Sequence, residues 1–298
     1  MVVLITGVSS SPGFKTAVAI SSRGKNVLGV YNRNPITLEN AAILRADLAK
    51  DAGKIVNEFK PSTVIHTAAL GNVDLCEEDR AFCHRVNVEA TRILMREAYK
   101  IGAKQIYLST DYVFDGGKGL YKEEELPNPA NYYGLTKLLG EEVTLALGGL
   151  VVRTSAIYGV GPGRANFGKI IVDKLFLGEK IKAFVDQWLS PTLNTILGEA
   201  LAKLAIDFNV EGIVHVAGPR LSRYELVSAI ARTFGFRDDL IEQASVRDVA
   251  FRAPRPRDSS LNNEKASELL KINLNDLNYA LNAFRNEYLQ YSSLSPLN

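Results

Sequence analysis

Long apolar runs are missing from this chain of 298 residues. None approaches the roughly 18 consecutive apolar residues that a membrane span requires, so no bilayer partner is expected. Neither sign of charge is in excess: 35 Lys and Arg against 33 Asp and Glu leave a formal +2. The closest approach to a basic cluster is Arg252, Arg255 and Arg257, and it is small. Nucleic-acid binders gather a larger surplus, so that class is set aside too. Cysteine is scarce: Cys76 and Cys83 lie seven apart in a helical pattern. Two are too few for a disulfide framework and wrongly spaced for a metal knuckle, so a reduced, cytoplasmic protein is expected. The three histidines, His66, His84 and His215, fall in a strand, a helix and a strand without ligand spacing, and no metal site is expected. Residues 2–5 are apolar but stop at Thr6-Gly7 with no basic segment before them. That reads as a first strand, not a signal peptide.

What remains is ordinary globular composition, 46% hydrophobic and 23% charged, enough for one large domain or two unequal ones. Short β-branched runs (Val2–Thr6, Asn26–Tyr31, Thr63–Thr67, Gln105–Ser109, Leu150–Thr154, Gly212–Val216) alternate with amphipathic stretches such as Cys83–Ile101 and Tyr133–Leu147. This alternation predicts an α/β fold with a doubly wound parallel sheet, helices on both faces. Runs such as Val64-Ile65 and Val151-Val152 suit strands buried on both sides. After Gly159 the pattern changes to a Gly/Pro-rich loop followed by helices near Phe167–Leu177, Arg223–Phe234 and Asn262–Leu270. Residues 1–155 plus about 186–218 are expected to form the sheet domain. A smaller C-terminal α/β lobe would come from about 156–185 plus 219–298, with the tail from Ser292 frayed.

The first strand runs into Gly7-Val-Ser-Ser10-Ser11-Pro12-Gly13 and then a helix. In open α/β sheets this turn is where a dinucleotide's pyrophosphate meets free N–H groups. The glycine spacing keeps its first and third members. Ser10 stands in the middle, and its hydroxyl is a candidate donor to a phosphate oxygen. Pro12 has no N–H to offer. At the tip of the second strand, Asn32 and Arg33 replace the carboxylate that would accept from a ribose 2′-OH. A 2′-phosphate would meet a cation there, which favours NADP.

Tyr133 and Lys137 are spaced i, i+4 and share a helix face. Their helix follows the strand ending at Ser109-Thr110, at the sheet edge where ligands bind. A free phenol titrates near 10, and a neighbouring ammonium is expected to lower that value. A hydroxyl at Thr110 would orient the same carbonyl oxygen.

With these residues in place, the chain resembles the extended short-chain dehydrogenase/reductases, specifically the dTDP-4-dehydrorhamnose reductase family. The resemblance is carried by Val64–Ala69, Val73–Glu77, Val86-Asn87, Leu108–Gly116, Asn128–Lys137, Arg153–Ser155, Asp186-Gln187, Ser190–Thr192 and Arg255–Leu261, spread over most of the chain in the family's order. It implies a Rossmann-type fold and reduction of the 4-keto group of dTDP-4-dehydro-L-rhamnose by NADPH or, less favoured, NADH. By matching position, Tyr133 would donate the proton, Lys137 would activate it and Thr110 would orient the oxygen. Asp111 would lie against the sugar, the backbone around Ser10–Pro12 would hold the pyrophosphate, and Asp47-Leu48 would border the adenine. Ala68, Ala69 and Leu70 would line the nicotinamide side, and Asn87 would bend a helix near the active site. Arg255 and Arg257 would steady the substrate's diphosphate. Ala156 stands where the family commonly has a tryptophan against the sugar, so a different nucleotide sugar is an alternative substrate. A dehydratase is disfavoured, because Tyr112 occupies the position of its acid. The chain also resembles the regulatory β subunit of methionine adenosyltransferase, an NADP-binding partner protein. That leaves a non-catalytic role open, and a homodimer with it.

Overall fold

Val- and Ile-rich segments build one parallel sheet, as their alternation with helices predicts. The computed structural model describes residues 2–294. In chain order the strands are β1 (Val2–Thr6), β2 (Asn26–Tyr31), β3 (Ala41–Arg45), β4 (Thr63–His66), β5 (Lys104–Thr110), β6 (Leu150–Tyr158), β7 (Ile181–Phe184), β8 (Trp188–Leu189), β9 (Pro191–Leu193), β10 (Gly212–His215), β11 (Leu221–Ser222) and β12 (Ile241–Ala244). The helices are α1 (Ser11–Ser21), α2 (Leu48–Phe59), α3 (Val73–Glu78), α4 (Arg80–His84), α5 (Ala90–Lys100), α6 (Tyr132–Ala146), α7 (Phe167–Phe176), α8 (Asn194–Ile206), α9 (Arg223–Phe234), α10 (Glu264–Leu270) and α11 (Leu277–Leu294).

The main sheet runs β10-β6-β5-β4-β1-β2-β3, and β9 extends it at the C-terminal end of β6. Val64, Ile65, Val151 and Val152 are fully buried. Helices α1 and α8 cover one face, and α2, α5 and α6 cover the other. From β1 the chain winds outward through β2 and β3, then crosses back to place β4 on the other side of β1. That reversal opens a crevice beyond the ends of β1 and β4.

A second apolar core gathers Tyr158 from the end of β6 with Val172 of α7, Ile230 of α9 and Phe284 of α11. Beside it lie two short ribbons, β7 with β12 and β8 with β11. Helix α11 was not expected from the sequence, although Ala280, Leu281, Phe284 and Tyr288 form its buried stripe. It continues to Leu294, so the expected fraying from Ser292 does not begin there; the rest of that tail lies outside the described residues.

The expectation of two reduced cysteines is corrected. Cys76 and Cys83 are disulfide-bonded, with their Cα atoms 5.1 Å apart. On a continuous helix, seven residues would separate them by about 10 Å along the axis, beyond a disulfide's reach. The helix breaks at Asp79, whose side chain caps α4, and the break folds one cysteine back onto the other.

One buried ion pair ties α6 to the sheet. Arg153 of β6 donates from Nε to Glu141 Oε1 (3.0 Å) and from Nη2 to Glu141 Oε2 (2.7 Å). Both side chains are 1% exposed. Removing one partner strands a buried charge, so Arg153→Met should cost about 3–5 kcal/mol in denaturant unfolding. Arg153→Met combined with Glu141→Leu should recover much of that loss. Equal destabilisation in the single and double variants would show that the pair itself is not what holds α6.

Candidate active site

The turn after β1 is shaped by close backbone approach. Gly7 has φ +70°, and a Cβ there would sit 2.7 Å from Ala68 Cα. A Cβ on Gly13 would meet Gly7 O at 2.4 Å. These glycines therefore let the start of α1 lie against the ends of β1 and β4. Above them a cleft of about 500 Å³ is walled by Gly7, Ser10, Asn32, Arg33, Asp47, Leu48, Ala68, Ala69 and Leu70. All nine were singled out from the sequence. Size, position and the tight glycine turn fit a dinucleotide.

Ser10 does not present its hydroxyl as expected. It caps α1, accepting from the Gly13 amide (3.3 Å) and donating to Gly7 O (2.7 Å). Its one proton is therefore spent inside the turn. Ser11 is buried, and its Oγ accepts from Asn194 Nδ2; Pro12 lies in the first turn of the helix. Asn87 sits in a π-helical turn, residues Arg85–Glu89, between α4 and α5. Its Oδ1 accepts from the Leu70 amide (2.7 Å) and its Nδ2 donates to Thr136 Oγ1 (3.0 Å), tying the cleft wall to α6. Sequence reasoning missed Phe82, Arg85 and Arg164, which also line the cleft.

A second cavity of about 150 Å³ adjoins the segment following Leu70. Its lining includes Val73, Thr110, Asp111, Tyr112, Tyr133, Ala156, Gln187, Trp188, Arg223 and Ser259. Thr110 ends β5, and its Oγ1 donates to Asp111 Oδ1 (3.1 Å). Asp111 is buried, and its other oxygen accepts from Ser155 (2.8 Å) and Ser259 (2.5 Å). Burial pushes its carboxyl above the usual range, and the three hydroxyls oppose that rise. Tyr133 lies in the first turn of α6, half-buried at the cavity wall and hydrogen-bonded to Thr110. Two contacts fix that turn: Asn131 caps it through the Gly134 amide, and Glu77 accepts from the Tyr132 amide (3.0 Å).

Lys137 follows one turn later but is buried behind the cavity. Its Nζ donates to Leu108 O (2.8 Å) and lies 4.0 Å from the Tyr107 ring centre. Burial lowers its pKa to about 7, with Glu141 pulling the other way. Burial likewise raises the Tyr133 phenol, with the Thr110 bond opposing. The expected lowering of the phenol by a nearby ammonium is thus reversed: desolvation is the largest cause, and the charges of Asp111 and Tyr112 raise the phenol further.

Trp188, on β8, supplies an aromatic wall to the cavity that Ala156 also lines. Ala156 itself has φ +42°, in the left-handed region, where β6 bulges between Ser155 and Ile157. Arg255 is committed elsewhere: its Nη2 donates to Asp74 Oδ2 (2.7 Å) and its Nη1 to Ala253 O (2.9 Å). Arg257 lies 5.6 Å from the Trp188 ring centre. Arg223 reaches the cavity instead, with Nε donating to Gln187 Oε1 (2.5 Å). His66 and His215 are core groups whose pKa burial lowers to about 3.

Lys137 makes stability depend on pH in a stated direction. Its folded pKa of about 7 lies below its ordinary 10.5. Between those values the unfolded chain binds the extra proton, so stability rises with pH across the window; below about 7 the full cost of the buried charge is present. Lys137→Met should flatten this rise in thermal unfolding followed from pH 7 to 9.5 on ligand-free protein. Parallel curves for variant and wild type would remove the buried amine as the cause.

A family model described as the RmlD substrate binding domain matches residues 1–290. The β subunit of methionine adenosyltransferase 2 from Bos taurus is 35% identical over 217 residues, 70% of this chain and 64% of that protein, so the match spans less than two thirds of the bovine subunit. The crystal structure of a hypothetical dTDP-4-dehydrorhamnose reductase from Sulfolobus tokodaii has a TM-score of 0.84 at 35% identity, covering 93% of this chain and 97% of that one. A dTDP-4-dehydrorhamnose reductase from Bacillus anthracis, solved with NADP, has a TM-score of 0.82 at 26% identity, covering 96% and 99%. Matched over nearly its whole length, the chain belongs to the dTDP-4-dehydrorhamnose reductase family, that of the RmlD substrate binding domain.

Proposed function

We propose that this protein reduces the 4-keto group of a nucleotide sugar, best matched by dTDP-4-dehydro-L-rhamnose, using NADPH. The observation that carries this is the placement of Tyr133 and Thr110 together on the wall of the smaller cavity, beside the dinucleotide cleft. The bound reduced nicotinamide supplies the hydride. The chain's own residues supply orientation and the proton. Thr110 and Tyr133 line the cavity in which the carbonyl would sit; with the Thr110 proton given to Asp111, the Tyr133 hydroxyl is the donor to the carbonyl oxygen. A phenol whose pKa is raised by burial is fully protonated at neutral pH, so it is loaded to donate. Once it has donated, the phenolate charge favours the protonated form of Lys137, whose pKa of about 7 leaves it able to respond.

The nucleotide end has a place to go. Arg223 lines both the reactive cavity and a neighbouring one of about 320 Å³ between α7, β7 and α9, which Lys174, Lys180 and Lys182 also line. Lys174 pairs with Glu179 and Lys180 with Glu242, which leaves Arg223 and Lys182 as the better match for a diphosphate than Arg255, which Asp74 already neutralises. Ala156 and Trp188 shift the aromatic wall relative to the family's common arrangement, which supports a related nucleotide sugar as the alternative substrate. Likeness to the bovine β subunit favours a second reading, a nicotinamide-binding partner subunit without turnover.

NADPH oxidation at 340 nm with enzymatically generated dTDP-4-dehydro-L-rhamnose separates these. Turnover supports the reductase. Tight NADPH binding with no turnover on this or related keto-sugars supports the partner subunit. In the active protein, Tyr133→Phe should lower kcat by about 10²–10⁴ while leaving NADPH affinity within a few-fold. Unchanged kcat would remove Tyr133 from proton donation.

A further inference from the structure

Two guanidinium groups meet on one aromatic ring in the dinucleotide cleft. Arg33, just past β2, has its Cζ 5.5 Å from the centre of the Phe82 ring. Arg85, which opens the π-helical turn after α4, has its Cζ 5.3 Å from the same centre. Both arginines are exposed, both line the cleft, and neither pairs with a carboxylate among the described residues. Arg80 pairs with Glu77 and Arg45 donates to Asn32 O, while Arg164 lines the same cleft beside Gly163. The acid on this part of the wall, Asp47, is occupied in capping α2 through the Ala49 amide. The fold therefore gathers two positive charges at the tip of β2 that no carboxylate pairs with among the described residues.

We propose that Arg85, together with Arg33, forms a two-guanidinium seat for the 2′-phosphate of an adenosine, making Arg85 a second determinant of NADP over NAD. This rests on the nicotinamide assignment of the cleft. Of the two dinucleotides, only NADP carries a phosphate monoester at the adenosine 2′ position, and planar guanidinium groups match its oxygens. Asn32 removes the carboxylate that would repel it. Phe82 has a definite part: stacking on the ring pre-orders two long side chains, so less rotamer freedom is lost when the anion arrives. The disulfide at Cys83, the residue after Phe82, fixes the short helix that carries the ring. Arg85 thus reaches the site from a segment more than 50 residues beyond β2.

Binding of NADP⁺, NAD⁺ and adenosine 2′-monophosphate to the full-length protein tests this, by titration calorimetry on wild type, Arg85→Gln, Arg33→Gln and, as a control on α5, Arg96→Gln. Loss of one charge-assisted contact should weaken NADP⁺ and adenosine 2′-monophosphate about 10- to 100-fold in Arg85→Gln and in Arg33→Gln. NAD⁺ affinity should change less than about threefold, and Arg96→Gln should match wild type. If Arg85→Gln binds both dinucleotides as wild type does, or weakens both equally, the Arg85 assignment fails while the cleft assignment stands. A wild-type protein that binds neither dinucleotide overturns both.

Discussion

The buried contact between Arg153 and Glu141 sets the rotation of α6, and the chemistry follows from that rotation. Glu141, Lys137 and Tyr133 are spaced at four-residue intervals and lie along one helix face. Glu141 is locked to the sheet at the inner end, under a guanidinium that also lies 5.0 Å from the Phe114 ring centre. Lys137 comes next, its amine held by Leu108 O. Tyr133 is outermost, at the cavity. Helix geometry carries the placement of the innermost pair out to the phenol. A helix turned by one residue, about 100°, would take the phenol away from Thr110.

Burial and charge act in opposite directions at Lys137 and in the same direction at Tyr133. Dehydration weakens the positive form of Lys137 and the negative form of Tyr133, while Glu141 supports the positive form of the lysine. The resting protein thus favours a neutral phenol at the cavity and, one helical turn behind it, an amine that titrates close to neutrality. Asp111 is treated differently: three hydroxyls hold one carboxylate beneath the substrate cavity and keep the end of β5 joined to β6 and to the 258–261 segment.

Much of this was legible in the sequence because the determinants are local. A glycine turn after an apolar strand, an i, i+4 Tyr-Lys pair and alternating element types need only nearest-neighbour reasoning; of the cleft wall, Gly7, Ser10, Asn32 and Arg33 came from such segments, whereas Asp47, Leu48, Ala68, Ala69 and Leu70 came from the resemblance to the family. What was hidden depends on distance or on dehydration. Arg255 and Asp74 are 181 residues apart, and no local pattern announces that contact. Phe82 and Arg85 reach the cleft because the chain breaks at Asp79 and is cross-linked across the break, whereas the sequence reads as one continuous helix. The Lys137 shift comes from burial, which spacing cannot report. Helix α11 escaped notice because Asn278, Asn282 and Asn286 interrupt a pattern whose apolar members are nevertheless in register.

The bulge at Ala156 has a consequence for how this pocket can diversify. A left-handed backbone at that position suits a small side chain, and the aromatic surface comes instead from Trp188 on β8, a two-residue strand paired with β11 and bridged to Asp258. The part that contacts ligand is thereby uncoupled from the part that must stay rigid. Changes in the short ribbon can retune which ring shape is accepted while the central strands and α6 keep their register, so this architecture can acquire new specificities without putting its folding at risk.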